Sequence, residues 1–158
     1  MNIRPGNTTD SKAIAELIER FQSSLTLDPS GAGAEHFLAS VSEASERQYL
    51  ESPRYRYWVA EREGELAGFI AMRDQSHLFH LFVAAEQHRK GIAATLWCCA
   101  RDQAIRAGGV SEFTVNSSLN AVPVYKRFGF VPAGEPVQMH GIAFLPMRLS
   151  LRACCIKH

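Results

Sequence analysis

The feature that most constrains this chain is residues 77–97, HLFHLFVAAEQHRKGIAATLW. Residues 78–83 form an apolar and aromatic run of strand length, and residues 84–87 form a short turn. A helix then opens through His88, Arg89, Lys90, Gly91, Ile92 and Ala93. A strand that delivers a small-residue turn into a helix is a ready anion site. The first helical turn carries N–H groups with no internal partner, and the helix dipole adds partial positive charge there. Gly91 and Ala93 keep bulk away from the backbone, and Arg89 and Lys90 add formal charge, so a diphosphate could approach. The competing reading of the same residues is an ordinary strand–helix turn with a basic, solvated lip. No GK[ST] follows a four-residue gap and GxGxxG is absent, so the spacing matches neither a P-loop nor a dinucleotide fingerprint.

The rest of the chain reads as one domain over residues 1–151, with residues 152–158 as a frayed tail. Residues 2–4 are a short strand candidate, and Thr9 or Asp10 can cap the helix that carries Ala13, Ile14, Leu17, Ile18 and Phe21. Residues 28–34 are a loop by their Pro and Gly content, and a second helix is expected over residues 35–51 with Phe37, Leu38, Val41 and Leu50 inward. Residues 55–61 and 65–72 flank Arg62, Glu63 and Gly64 as a hairpin. The helix after Gly91 stops at Gly108 and Gly109, a strand follows over residues 112–115, and the final strand lies in residues 142–151. Three strands in series and then helix–strand alternation predict a mixed sheet in an α/β or α+β domain.

A net charge of +1 leaves no overall footprint for nucleic acid. The four cysteines fall as two vicinal pairs, Cys98–Cys99 and Cys154–Cys155, which make neither a usual disulfide framework nor a metal knuckle. Without an apolar leader or a run of membrane-spanning length, the expectation is a reduced, cytoplasmic protein with no membrane or metal partner.

A second stretch, residues 116–130 (NSSLNAVPVYKRFGF), reads as a polar turn opening a short helix that Gly129 ends. The two stretches together resemble the signatures of the GNAT superfamily of N-acetyltransferases. Leu81, Phe82 and Val83 match the strand end, and Gly91 and Ala93 match the small positions of [QR]xxGx[GA]. His88 stands where the family usually has Gln or Arg, a departure of little weight if that position acts through its backbone. Asn120, Tyr125, Gly129 and Phe130 match the second signature. The resemblance covers roughly residues 54–147.

The resemblance implies a GNAT-like, mostly antiparallel mixed sheet flanked by helices, with a splayed strand pair holding acetyl-CoA. The implied acceptor is a small-molecule or peptide primary amine, and a homodimer is compatible with it. The implied cofactor contacts are Leu81, Phe82, Val83, Arg89, Lys90, Gly91, Ile92, Ala93, Ala94 and Asn120. The pantetheine amides would pair with the strand edge as a pseudo-strand. A strand N–H near Phe82 would serve the oxyanion, and Tyr125 would give a proton to the thiolate. For the base, His77 and His80 compete with a water chain, since an imidazole pKa near about 6.5 suits proton uptake. Three positions apart on a strand, the two histidines are expected on opposite faces. His88 reads as a solvent-facing turn residue. Cys98 and Cys99 lack a visible His–Asp companion for nucleophilic work. Two alternatives stand beside the enzyme: a non-catalytic acyl-CoA-binding sensor on the same fold, and a nucleotide-phosphate module, against which the absent GK[ST] weighs.

Overall fold

The computed structural model describes residues 1–151; the expected tail at residues 152–158 lies outside them. The order is β1 (Asn2–Pro5), α1 (Ser11–Glu19), α2 (Gln22–Leu25), α3 (Glu35–Ser40), α4 (Glu43–Glu51), β2 (Tyr55–Arg62), β3 (Glu65–Arg73) and β4 (His77–Val83). Then come α5 (Ile92–Ala107), β5 (Glu112–Ser118), α6 (Val122–Phe128), β6 (Val131–Pro132), β7 (Val137–Met139) and β8 (Ile142–Ser150). The strands form one eight-stranded sheet in the order β1-β2-β3-β4-β5-β8-β6, with β7 also on β8. Among the described residues only the β4–β5 pair is parallel. Glu63 and Gly64 both take positive φ, which closes the β2–β3 hairpin with the twist that its strands need.

Strands β2 and β3 are buried on both faces, which is why they read as nearly continuous apolar runs. On one face Leu96 and Trp97 of α5 pack with Ile70, Phe113 and Phe130. On the other Ile14, Leu17 and Ile18 of α1 pack with Val59 and Phe69. Each Ile or Leu fully buried in this way contributes about 1.5–3 kcal/mol. Among the described residues no helix is long and apolar enough to cross a membrane.

Three expectations change. The helix over residues 35–51 is two helices, because Ser42 leaves helical geometry and its hydroxyl accepts from the Ser45 N–H, starting α4 anew. Asp10 stands at the cap position of α1 but makes no side-chain cap bond; the capping side chain is Asn7, which opens the 3-10 turn at residues 8–10 and accepts from the Thr9 N–H. The Asp10 carboxylate instead accepts from Arg4 and the Asn7 N–H. The strand expected over residues 112–115 runs on to Ser118, because residues 116–118 pair with residues 144–146 of β8.

Candidate active site

Strands β4 and β5 pair at only two positions, His77 with Thr114 and Leu78 with Val115. Beyond them β4 stays with β3 as far as Val83, and β5 stays with β8 as far as Ser118. The two strands therefore part, and their facing backbone groups look into a wedge with no strand partner. The parting coincides with a β-bulge: Met72 pairs with Leu78 and Ala71 with His80, leaving Phe79 unpaired. At the closed end His77 Nδ1 lies 2.8 Å from Thr114 Oγ1. Burial, aided by the positive charge of Arg73, holds the His77 imidazole down to about 4.

The bulge overturns the expected placing of the histidines. Leu78, Leu81 and Val83 face the α5 side, whereas Phe79 and Phe82 face the α1–α4 side. His80 Nε2 reaches Glu46 Oε2 on α4 at 3.0 Å, so consecutive residues 79 and 80 share that face. His77 meets Thr114, which alternates with Phe113 and Val115 of the α5-side core, so both histidines lie on the α1–α4 side. One extra residue in the strand reverses the parity on which the expectation rested.

The open end of the wedge meets the start of α5. Arg89 and Gly91 take positive φ, 65° and 77°. No backbone N–H of residues 89–94 donates to another described residue, so six amides are free around one turn. A Cβ built on Gly91 meets nothing within 4 Å. Gly91 is thus required by its left-handed backbone, and the space beside it is open. This arrangement fits a diphosphate. His88 is exposed, but Nε2–H donates to the Val83 carbonyl at 2.8 Å, tying the turn to the strand end. Arg62 and Lys90 both donate to Gln87 Oε1, each at 3.3 Å, which keeps two cations beside the turn.

Tyr125 is 5% exposed and set edge-on against Phe128 and Phe130. Burial pushes its phenol above the usual range, so it stays protonated at neutral pH. Its hydroxyl has no hydrogen-bond partner among the described residues, yet it is not sealed from solvent as the indole N–H groups of Trp58 and Trp97 are. Asn120 is exposed in a 3-10 turn and does not cap α6, which follows Ala121 with no side-chain cap bond. Pro123 in the first turn of α6 lacks an N–H, which reduces what a cap must satisfy.

Sequence reasoning missed Glu46. It is fully buried and accepts from Tyr57 Oη at 2.6 Å as well as contacting His80. Its neighbours Ser45, Arg47 and Gln48 conceal it as a surface residue, but its spacing to Tyr49 and Leu50 puts it on the inward stripe of α4.

Residues 25–151 match the family described as acetyltransferase (GNAT) domain. The chain is 34% identical over 100 residues to N-acetyltransferase family 8 member 3 of Rattus norvegicus, and 32% identical over 105 residues to N-acetyltransferase 8 of Homo sapiens. Each alignment covers 56% of this chain and 44% of the relative, so the chain spans less than half the length of these relatives. Among solved structures, the PaiA N-acetyltransferase of Thermoplasma acidophilum in complex with coenzyme A superposes with a TM-score of 0.71 at 17% identity, over 95% of this chain and 99% of that one. The ribosomal-protein-alanine N-acetyltransferase of Brucella melitensis gives a TM-score of 0.71 at 21% identity, over 96% of this chain and all (100%) of that one. At such identities these two establish a shared fold. With the splayed strands, the amide-lined turn and the family match over most of its length, the chain belongs to the GNAT superfamily of N-acetyltransferases.

Proposed function

We propose that this protein transfers the acetyl group of acetyl-CoA directly to a primary amine within a ternary complex. The observation that supports this reading is the wedge between β4 and β5 opening onto the free amides of residues 89–94. In this reading the edge at Leu81, Phe82 and Val83 pairs with the pantetheine amides. Residues 89–94 receive the diphosphate, Arg89 and Lys90 add charge, and Asn120, exposed beside α6, reaches the cofactor arm. A β4 N–H near Phe82 meets the developing oxyanion. Tyr125 gives its proton to the departing thiolate, and His80 takes one from the amine. Bound acetyl-CoA supplies the activated acyl carbon.

The test is calorimetric titration with acetyl-CoA and, separately, ATP, followed by turnover with detection of free thiol. The acceptor panel is an arylalkylamine, a polyamine, an amino acid and a peptide with a free α-amine. Binding of acetyl-CoA and not ATP, with thiol release dependent on one of these amines, is expected. Tight binding without turnover would favour the acyl-CoA sensor, and preference for ATP would overturn both.

A further inference from the structure

We propose that Glu46 is the positioning residue that makes His80 a base: from α4 it holds the imidazole as the Nε2–H tautomer, leaving the Nδ1 lone pair for the acceptor's proton. The proposal rests on the acetyl-transfer reading of the wedge.

A carboxylate at zero exposure is costly, several kcal/mol for an unpaired ion, and an apolar side chain would fill the same space more cheaply. Here both oxygens are committed. Oε1 accepts from Tyr57 at 2.6 Å, and Oε2 lies 3.0 Å from His80 Nε2. Burial and the neighbouring Glu46 carboxylate push the Tyr57 phenol far above its usual range, so it acts as a donor. With Oε1 satisfied by Tyr57, Oε2 is left for the imidazole. An ionised carboxylate can only accept, so the proton between them sits on Nε2.

Nδ1 has no partner among the described residues, and it is not one of the polar atoms sealed away from solvent. The ring is clamped by Phe79, its centroid 4.0 Å away, and by Phe69 and Phe82 at 6.0 and 5.9 Å. The other titratable or charged groups gathered here are Tyr49 and Tyr55, which pack on Phe79, and Arg73, whose guanidinium lies over the Phe79 ring. Glu46 is therefore the carboxylate that meets His80, and the bulge at Phe79 is what turns His80 toward it. His80 is two residues beyond the last β4–β5 pair, where the two strands begin to part.

The protons balance. An ammonium acceptor sheds two in becoming an amide. His80 Nδ1 takes the first and later releases it to solvent. The freed amine nitrogen then bonds to the acyl carbon and the C–S bond breaks. Tyr125 protonates the thiolate and recovers its proton from the nitrogen of the addition intermediate. No oxidant or further reactant is needed.

The test is Glu46→Gln, which keeps the shape but lets an amide N–H face Nε2 and drives the proton to Nδ1. Ring 15N NMR should report Nε2–H in the wild type and Nδ1–H in the variant. With the fastest acceptor of the panel, single-turnover transfer should fall by about 100-fold or more, with acetyl-CoA affinity unchanged. In a His80→Gln background, Glu46→Gln should slow transfer no further. An Nδ1–H tautomer in the wild type overturns the proposal, and that measurement needs no folded variant. So does a Glu46→Gln rate equal to wild type, or a loss that adds in full to that of His80→Gln, which would make Glu46 a fold anchor. A wild type that binds acetyl-CoA and acetylates nothing sinks the transfer reading itself, whereas wild-type turnover matched by Glu46→Gln sinks this proposal alone.

Discussion

A phenol serves as a proton donor only if it holds its proton until a stronger base arrives. Tyr125 satisfies that condition because its burial against Phe128 and Phe130 raises its affinity for the proton, while its hydroxyl is not sealed. Tyr125→Phe keeps the packing ring and removes a hydroxyl with no protein partner among the described residues, so stability should change little. Acetyl-CoA affinity should stay near normal, and the single-turnover rate should fall by about 10²–10⁴-fold. A rate within twofold of wild type would remove Tyr125 from the chemistry, and an equal fall in binding would make it a cofactor-positioning residue. Tyr125 could be picked out from its local motif, whereas Glu46 could not. Its importance comes from Tyr57 and His80, 11 and 34 positions away, and no local pattern encodes those contacts.

At the scale of elements, the start of α5 is a backbone device. Gly91 holds φ at 77° as the residue before the helix, next to open space. Gly91→Ala and Gly91→Val both force a side chain into left-handed geometry, at about 1–2 kcal/mol. Only valine adds branched bulk where a diphosphate would lie. Both variants should melt lower than wild type, and Val should weaken acetyl-CoA binding more than Ala in a titration. Unchanged affinity in folded Gly91→Val would remove the diphosphate from this turn. Equal losses in the two would assign the effect to backbone strain. Strand–turn–helix order was legible here because it is written in consecutive residues. The break of residues 35–51 at Ser42 was not, since a serine inside an apolar-periodic run serves equally as a helix surface residue or as a cap.

Across the whole molecule, the two halves of the sheet meet at the two-pair β4–β5 contact that His77 closes. Its imidazole titrates at about 4 in the folded protein, against a usual value of about 6.5 in an unfolded chain. Between those values the unfolded chain binds more protons, so stability rises with pH. The contribution is complete above about pH 6.5 and is lost as pH falls toward about 4. Melting temperature measured from about pH 7 to about pH 4 should fall more steeply for wild type than for His77→Gln, which keeps a polar partner for Thr114 and does not titrate. Parallel curves would show that His77 does not couple the sheet to pH.

What the sequence determined by itself was a mixed sheet of strands and helices, which the family resemblance specified as mostly antiparallel, together with the turn at residues 88–94 and the place of Tyr125 in its helix. Each depends on periodicity, on a glycine's backbone freedom or on a motif of neighbouring residues. Tertiary structure decided where the histidines face and which acid meets them. A bulge at Phe79 changes side-chain parity by one, because a strand places alternate residues on opposite faces. That single unpaired residue brings His80 to the same side as His77 and within reach of Glu46, and it does so only because β3 fixes the register against which Phe79 is extra.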